Sequence, residues 1–350
     1  MVILLGYIIL IILLSLITLI CSLLKVNIKN NHSYLISMII ILTLFLCLRG
    51  PNVGLDMSNY HEFFITAKNN TFNFLLFNID FEIGFKLFTK FISFMTSNFR
   101  IYIAIISIIS MVGIYYYIKN YSNNYFASIF LFITFDYFIY YTCTLRQCIA
   151  ISILLCSLYF LKKENILCYI LSVLLACSFH KTALVFLALP IIKKITFTPK
   201  ILISYIGTCL ALFIIKKPML EIITKLIYNR YIDYQDTSGT GYMMLLLIFS
   251  IILFICFFNK KFDINKKENK TFVGMLLLAL PFQILSTTQG LVARIVLYFT
   301  YSLIVLIPNN IEVMDNKYKR ILYSLFYISL FLFYTYQIFT DSIYVHYTIF

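Results

Sequence analysis

Five of the six arginines in this sequence stand at the edge of an apolar segment or in the polar stretch between two such segments. A guanidinium presents a planar fork of donors that matches the oxygens of a phosphate or a carboxylate. Because ionisable side chains are scarce beside apolar segments, the set predicts a site for an anionic group. The alternative is that each arginine reaches a lipid headgroup independently. The five are Arg49, Arg100, Arg146, Arg230 and Arg294.

Arg146 and Gln147 begin the apolar segment 145–161. A helix N-terminus carries free backbone N–H groups and the positive end of the helix dipole. An arginine in the first turn is therefore unfavourable unless an anion lies between the guanidinium and the helix end. This position predicts a bound phosphate; the alternative is an ion pair between Arg146 and Asp136 or a lipid headgroup.

Two further side chains are candidates for proton transfer. His180 interrupts two apolar segments, and histidine is the side chain best able to exchange a proton near neutral pH. A satisfied structural histidine is the competing interpretation. Asp56 follows a stretch bent by Gly50, Pro51 and Gly54, and it could pair with an arginine, orient a sugar hydroxyl or act as a base.

The elements that must position these residues are membrane helices. Of the 350 residues, 62% are hydrophobic and only 12% are charged. A mean hydropathy of +0.93 excludes a water-facing surface on a soluble globule. The sequence predicts a single all-α membrane domain, 1–350, with about twelve spans. These are 2–24, 34–48, 101–118, 125–142, 145–161, 165–179, 182–192, 200–215, 241–258, 272–289, 292–307 and 321–340.

Two predicted outer loops, 49–100 and 216–240, separate some of these spans. In the first, aromatic and aliphatic residues at helical spacing around 72–96 predict an interfacial or re-entrant helix. The second carries Arg230 among tyrosines and aspartates, residue types that suit carbohydrate contact. A solvated loop with interfacial tyrosines is the alternative for 216–240.

The short basic connections set the predicted orientation, because lysine and arginine collect on the cytoplasmic side. Twelve spans with an external N-terminus place all of the strongly lysine-rich connections inside and the five arginines outside. The formal charge of +14 therefore reports topology and contact with anionic lipid, and it does not indicate nucleic-acid binding.

The sequence lacks the motifs that are typical of several other enzyme classes. It contains no phosphate-binding glycine loop, no dinucleotide fingerprint and no H-E-x-x-H. The nine cysteines include no C-x-x-C pair and are expected to pack as small apolar residues. We therefore expect neither a metal nor a cofactor.

Short motifs along nearly the whole chain resemble the EpsG family of exopolysaccharide proteins, which are related in role to Wzy-type O-antigen and capsule polymerases. The motifs, in order, are Arg49 followed by Gly54, Asp56 and Tyr60; FEIGFKLF with Glu82; LRQCIAISI with Arg146; SFHKTAL with His180; and ARIVLYF with Arg294 before Pro308.

The resemblance implies a glycosyltransferase of GT-C-like polymerase architecture in the cytoplasmic membrane of a bacterium. Its outward-facing site would join oligosaccharides linked to polyprenyl pyrophosphate. His180 or Asp56 would accept the proton of the attacking sugar hydroxyl. The residues expected to bind pyrophosphate or sugar are Arg49, Arg146, Gln147, Arg294, Arg230, Tyr60 and Glu82. Membrane lipid, a flippase and a chain-length regulator are the implied partners, and nucleic acid is not.

Two other classes remain open from the sequence. A flippase or exporter of the lipid-linked unit would also need outer arginines, but charges should then line a path through the midplane. The predicted span centres are almost free of such charges. A membrane acyltransferase also uses an intramembrane histidine, but it needs a cytoplasmic acyl donor, whereas His180 is predicted to lie outside.

Overall fold

The computed structural model describes residues 5–227, 241–259 and 261–340. Every regular element within these residues is helical, which confirms the predicted all-α class. Two 3₁₀ segments, Lys181–Ala188 and Gly290–Val292, and a π-helical turn, Phe254–Phe258, join the α-helices. The α-helices are α1 (Leu5–Leu23), α2 (His32–Cys47), α3 (Met57–Asn69), α4 (Phe72–Asn78), α5 (Ile83–Met95), α6 (Phe99–Tyr121), α7 (Tyr125–Thr134), α8 (Tyr137–Cys143), α9 (Leu145–Lys162), α10 (Ile166–Phe179), α11 (Leu189–Lys194), α12 (Pro199–Ile227), α13 (Gly241–Leu253), α14 (Lys267–Ser286), α15 (Ala293–Thr300), α16 (Leu303–Glu312) and α17 (Asn316–Thr340).

Each predicted membrane segment falls on a helix or a pair of helices, but fewer are long enough to cross a bilayer. In the described part of the chain, five helices are long and apolar enough, or seven if two bent pairs each form one span. Four shorter apolar helices of 10–17 residues fall below the roughly 20 residues that a crossing needs. The predicted count of twelve spans is therefore not confirmed, and the GT-C-like architecture stays a prediction.

The segment predicted as one span at 125–142 is instead the bent pair α7 and α8, which meet at 54°. Asp136, between them, has a φ of 61°, in the left-handed region that ends an α-helix. Its carboxylate accepts a hydrogen bond from the Gln337 amide on α17. The break therefore comes from one residue of unusual conformation that apolar periodicity does not reveal.

The chain divides into two compact units. The first unit contains Met1–Leu184 and Asn316–Phe350, and the second contains Val185–Asp315. The single-domain description and the loop boundaries at 49–100 and 216–240 stay predictions.

Close helix packing in the first unit depends on small residues. A Cβ on Gly113 of α6 would lie 2.7 Å from the Cα of Ser152 on α9, so only glycine permits this approach. Ser152 Oγ then donates a hydrogen bond to the Ser110 carbonyl at 2.6 Å. Small residues at a helix contact and serine bonds across it are typical of packing inside a membrane. This contact fixes α9, which carries Arg146.

Helices α3 to α5 form a compact lobe of the first unit, and the two lysines of α5 are turned inward. Lys86 is only 6% exposed and donates to the Leu76 carbonyl, while Lys90 donates to the carbonyls of Ala67 and Asn70 at the end of α3. The opposite face of α5 exposes Phe91 and Phe94, among other large apolar side chains. A helix with this distribution suits a membrane interface, as the sequence predicted for 72–96.

The second unit is built on α14, against which α11, α12, α13 and α15 pack. Tyr205 of α12 donates its hydroxyl to the Leu277 carbonyl at 2.5 Å, and the Gln283 amide donates to the Gly241 carbonyl at 2.8 Å. These bonds tie α12 and the start of α13 to α14.

Candidate functional site

The carboxylate of Glu82 lies at the centre of a polar cluster in the first unit. Its Oε2 lies 2.5 Å from Nη1 of Arg146. Its Oε1 accepts the backbone N–H of Lys181 at 3.2 Å and lies 3.4 Å from Nδ1 of His180. The Glu82 side chain is 9% exposed. Three motifs separated widely in sequence therefore meet at one buried carboxylate.

A glycine brings two of these motifs together. Glu82 is the extended residue before α5, and Gly84 lies in the first turn of that helix. A Cβ on Gly84 would overlap the hydroxyl of Ser178 and lie 2.7 Å from its carbonyl oxygen. The start of α5 therefore packs directly against the end of α10, where His180 follows Phe179. The two motifs FEIGF and SFHK are the two sides of this contact.

The end of α10 also supplies a backbone donor. His180 ends α10 in an extended conformation, with its N–H bonded to the Ala176 carbonyl. The 3₁₀ segment starts at Lys181, whose N–H belongs to the free donors of a helix start and points at Glu82. A carboxylate is stabilised at such a position by the hydrogen bond and by the helix dipole.

These neighbours keep Glu82 ionised. Burial alone would raise the pKa of its carboxyl group, but the His180 ring, the Arg146 guanidinium and the Lys181 backbone N–H outweigh that effect. Together they lower the pKa of Glu82 to about 2. The carboxylate therefore carries a full negative charge at physiological pH.

Arg146 is held between this carboxylate and aromatic rings. Its guanidinium lies over the Phe81 ring, 4.4 Å from the centroid. Its Nε is buried and has no hydrogen-bond partner among the described residues. Burial raises the pKa of the Tyr60 phenol, and the charge of Arg146 and a hydrogen bond with it partly offset that rise. Because Tyr60 interacts with Arg146 in this way, it also belongs to the group. Donors remain on Arg146 for a second anion beyond Glu82.

His180 is buried, and its ring makes one weak contact, from Nδ1 to Glu82. It is 8% exposed, and neither Nδ1 nor Nε2 makes a hydrogen bond of good geometry within the part of the chain that the structure describes. Leaving a buried polar atom without a partner costs about 1–3 kcal/mol, so such an atom calls for an explanation, and a catalytic role or a bound ligand is one. Nδ1 faces Glu82, which leaves Nε2 as the nitrogen for another partner.

The glycine- and proline-rich stretch before α3 packs on the end of α8. Gly54 has a φ of 117°, and a Cβ there would overlap the carbonyl oxygen of Thr142. Arg49 is fully buried, and its Nη2 lies 4.0 Å from Sδ of Met57. Asp56 is partly exposed and precedes α3 by one residue, one helical turn from Tyr60. The stretch therefore lies against the residues that lead into Arg146.

The structure brings four of the nine predicted site residues into one group: Tyr60, Glu82, Arg146 and His180. Gln147 is buried beside Arg146 on α9, and Asp56 interacts electrostatically with Tyr60. Arg294 is exposed on α15 in the second unit, and Arg230 lies outside the described residues.

The alternative pairing of Arg146 with Asp136 is wrong, because Arg146 pairs with Glu82 and Asp136 with Gln337. The anion expected at the start of α9 is thus supplied by the chain itself. Sequence reasoning did not place the Lys181 backbone N–H or the Phe81 ring in the site. The glycine two residues after Glu82 was the available signal for a close approach. Among the described residues, no group of three or more histidine, cysteine or acidic side chains is placed to hold a metal ion.

Comparison with known proteins gives one match. The sequence profile of the EpsG family matches residues 32–349, nearly the whole chain. No curated protein and no solved structure matches the chain.

Proposed function

The chain belongs to the EpsG family, and we propose that it is the polymerase that joins oligosaccharide repeat units carried on polyprenyl pyrophosphate. Membership and the apolar helices make it a multi-pass membrane protein and connect it with exopolysaccharide biosynthesis. The reaction transfers the growing glycan from its lipid pyrophosphate to a hydroxyl of the next lipid-linked unit.

The cluster of Glu82, Arg146 and His180 carries this proposal. It combines a half-buried cation with donors to spare, a histidine with a nitrogen to spare and an ionised carboxylate that holds both. Glycosyl transfer from a pyrophosphate needs these functions: a charge to bind the leaving group and a base to take the proton of the attacking hydroxyl.

In the proposed step, the acceptor hydroxyl oxygen bonds to the anomeric carbon as the bond from that carbon to the pyrophosphate oxygen breaks. His180 Nε2 accepts the hydroxyl proton. Nδ1 faces Glu82, whose negative charge fixes the ring and stabilises the imidazolium that forms. The proton leaves afterwards to the released lipid pyrophosphate or to solvent.

Arg146 binds the pyrophosphate in this scheme. One amino group is committed to Glu82 and the guanidinium also interacts with Tyr60, so the N–H groups that face neither partner donate hydrogen bonds to phosphate oxygens. Charge develops on the leaving oxygen as the bond breaks, so a fixed cation there stabilises the transition state more than the ground state. The Phe81 ring beneath the guanidinium keeps its plane in place.

The other predicted site residues take supporting roles in the proposal. Asp56 remains the alternative base, and Tyr60 is assigned a contact to sugar. The site faces outward from the cytoplasmic membrane, and a flippase and a chain-length regulator are proposed partners. Cleavage of the glycosyl–phosphate bond supplies the free energy, so the step uses no nucleotide. Additional contacts to pyrophosphate or sugar are assigned to Arg49, Gln147, Arg230 and Arg294.

Analysis of lipid-linked oligosaccharides in a deletion strain tests the function. A polymerase defect leaves single repeat units on the outer face of the membrane. Single units on the inner face would indicate an exporter, and full-length polymer that lacks an acyl group would indicate an acyltransferase. Either of these outcomes would remove the polymerase proposal.

A further inference from the structure

A buried cation of the second unit, Lys216, has no role in the site assigned above. Lys216 is on α12, near the end of the candidate span Pro199–Leu220, and it is only 5% exposed. The predicted orientation places this end on the outer side, where lysine is not needed as a topological anchor. Its neighbour Lys217 is exposed. Because only one of these two adjacent lysines is buried, the side chains around Lys216 must account for its burial.

The surroundings of the Lys216 ammonium are electron-rich but neutral. Nζ donates to the Tyr242 hydroxyl at 3.2 Å and to Thr287 Oγ1 at 2.6 Å. It also lies 4.1 Å from the Phe213 ring centroid and 4.9 Å from that of Tyr242. Residues from α12, α13 and the end of α14 thus form a cage around one positive charge.

No carboxylate neutralises this charge among the residues that the structure describes. A cation buried at a membrane helix end without a counter-ion is unfavourable, and cation–π contact offsets only part of that penalty. The cage therefore fits a cation whose counter-ion arrives with a ligand.

The free donors of the cage indicate the ligand. An ammonium has three donors, and Lys216 uses two of them. Tyr242 accepts from Lys216, which leaves its own O–H to donate, whereas Thr287 donates to the Ile284 carbonyl. One N–H of Lys216 therefore remains for an oxyanion, and the Tyr242 hydroxyl, which also interacts with Thr287, lies beside it. Lysine is a common phosphate binder.

The exposed side chains beside the cage indicate which kind of molecule carries that oxyanion. Tyr242 is 41% exposed, and the neighbouring Ile214 and Met243 are 79% and 65% exposed. Apolar side chains exposed on membrane helices face lipid. We propose that Lys216 and Tyr242 bind the phosphate of a membrane lipid at the end of α12. This site shares no residue with the Glu82 cluster, and the proposal does not depend on the proposed polymerase reaction.

Lipid binding to purified, delipidated protein tests the proposal. The probes are phosphatidylglycerol, a polyprenyl monophosphate and diacylglycerol, which lacks a phosphate. Their effects on the thermal midpoint and their retention in native mass spectra are measured for the wild type, Lys216→Met, Lys217→Met and Tyr242→Phe. Comparing the two phosphate lipids shows whether a bilayer phospholipid or a polyprenyl carrier is the preferred source.

We expect the wild type and Lys217→Met to bind a phosphate lipid and to ignore diacylglycerol. Lys216→Met should bind at least tenfold more weakly. Tyr242→Phe keeps the ring over the ammonium and loses only the O–H, so it should bind severalfold more weakly even if Lys216→Met folds poorly. Equal binding by Tyr242→Phe and the wild type, or equal binding of diacylglycerol, overturns the site. The readout is binding alone, so a failed polymerase assay leaves it unaffected.

Discussion

Replacing Glu82 with Gln is the most informative single change, because one carboxylate holds both Arg146 and His180. Glutamine keeps the shape and an acceptor oxygen for the Lys181 N–H, but it removes the negative charge. Arg146 then remains buried beside Phe81 without its counter-ion, and the imidazolium of His180 loses its stabilising neighbour. We expect a loss of stability and a larger loss of catalytic rate.

The pKa of Glu82 sets the size of the stability effect. The shift from the ordinary value of 4.5 to about 2 corresponds to about 3 kcal/mol of stabilisation of the ionised form. Arg146 is 20% exposed, so solvent screens part of this interaction, and we expect a net loss of about 2 kcal/mol. The rate should fall by about 10²- to 10⁴-fold, the usual value of assistance from a general base.

The assay uses purified protein in lipid nanodiscs with a lipid-linked repeat unit, and it follows polymer length and initial rate together with thermal unfolding. Glu62→Gln is the matched control, because Glu62 is exposed on α3 and should show wild-type values. A Glu82→Gln protein that polymerises within threefold of the wild-type rate would refute the assigned mechanism. Normal stability in that variant would refute the ion-pair reasoning separately.

The same carboxylate predicts a pH dependence of stability with a definite sign. A group whose pKa is lower in the folded than in the unfolded state stabilises the fold above the unfolded value. The contribution of Glu82 is therefore fully present above about pH 4.5, and it is lost as the pH falls toward 2. Glu82→Gln should lack this part of the acid transition, while Glu62→Gln should keep it.

Three variants and one topology measurement extend these tests. Gly84→Ala should lower the free energy of unfolding by about 1–3 kcal/mol and reduce polymerisation, because the added Cβ meets Ser178. Its control is Gly207→Ala, which should leave thermal stability unchanged or slightly raised, because nothing lies within 4 Å of the added Cβ. Arg146→Lys keeps a charge but loses the fork that binds Glu82 and phosphate together, so polymer should disappear in cells while the amount of membrane-inserted protein stays normal. His180→Gln, which cannot take up a proton, should lower kcat more than it raises KM; a near-normal kcat would move the base to Asp56. A cysteine introduced at position 265 should stay unlabelled by an impermeant reagent in intact cells, because the basic loop around it is predicted to be cytoplasmic.

Apolar content predicted the helices well but not how many of them cross the membrane. The segment 125–142 has Asp136 as its one charged residue and is apolar enough to predict a single span, yet Asp136 in a left-handed conformation divides it into α7 and α8. Likewise 292–307 is divided between α15 and α16, which meet at 43°. At Asp136 the backbone conformation of a single residue decides the break, and hydropathy averaged over a window does not detect it.

The site was predicted in parts and assembled only by the structure. Arg146 and His180 were singled out because ionisable residues at the edge of an apolar segment are unusual. Their common partner, Glu82, is 64 residues from Arg146 along the chain, and no helical periodicity relates positions that far apart. The structural cue was steric: Gly84 permits a helix contact that places a carboxylate beside the end of α10.

This assembly changes how the arginine at the start of α9 is understood. A bound phosphate was expected there to offset the helix dipole, but Glu82 already provides that negative charge. With a neutral His180, the group of Arg146, Glu82 and His180 carries no net charge. In the proposed step His180 takes the proton of the attacking hydroxyl, so the group would become positive just as negative charge develops on the leaving pyrophosphate. The group would be neutral when the substrate binds and would become positive only during the reaction. Such a change favours the transition state over the bound substrate, which is the condition for raising kcat.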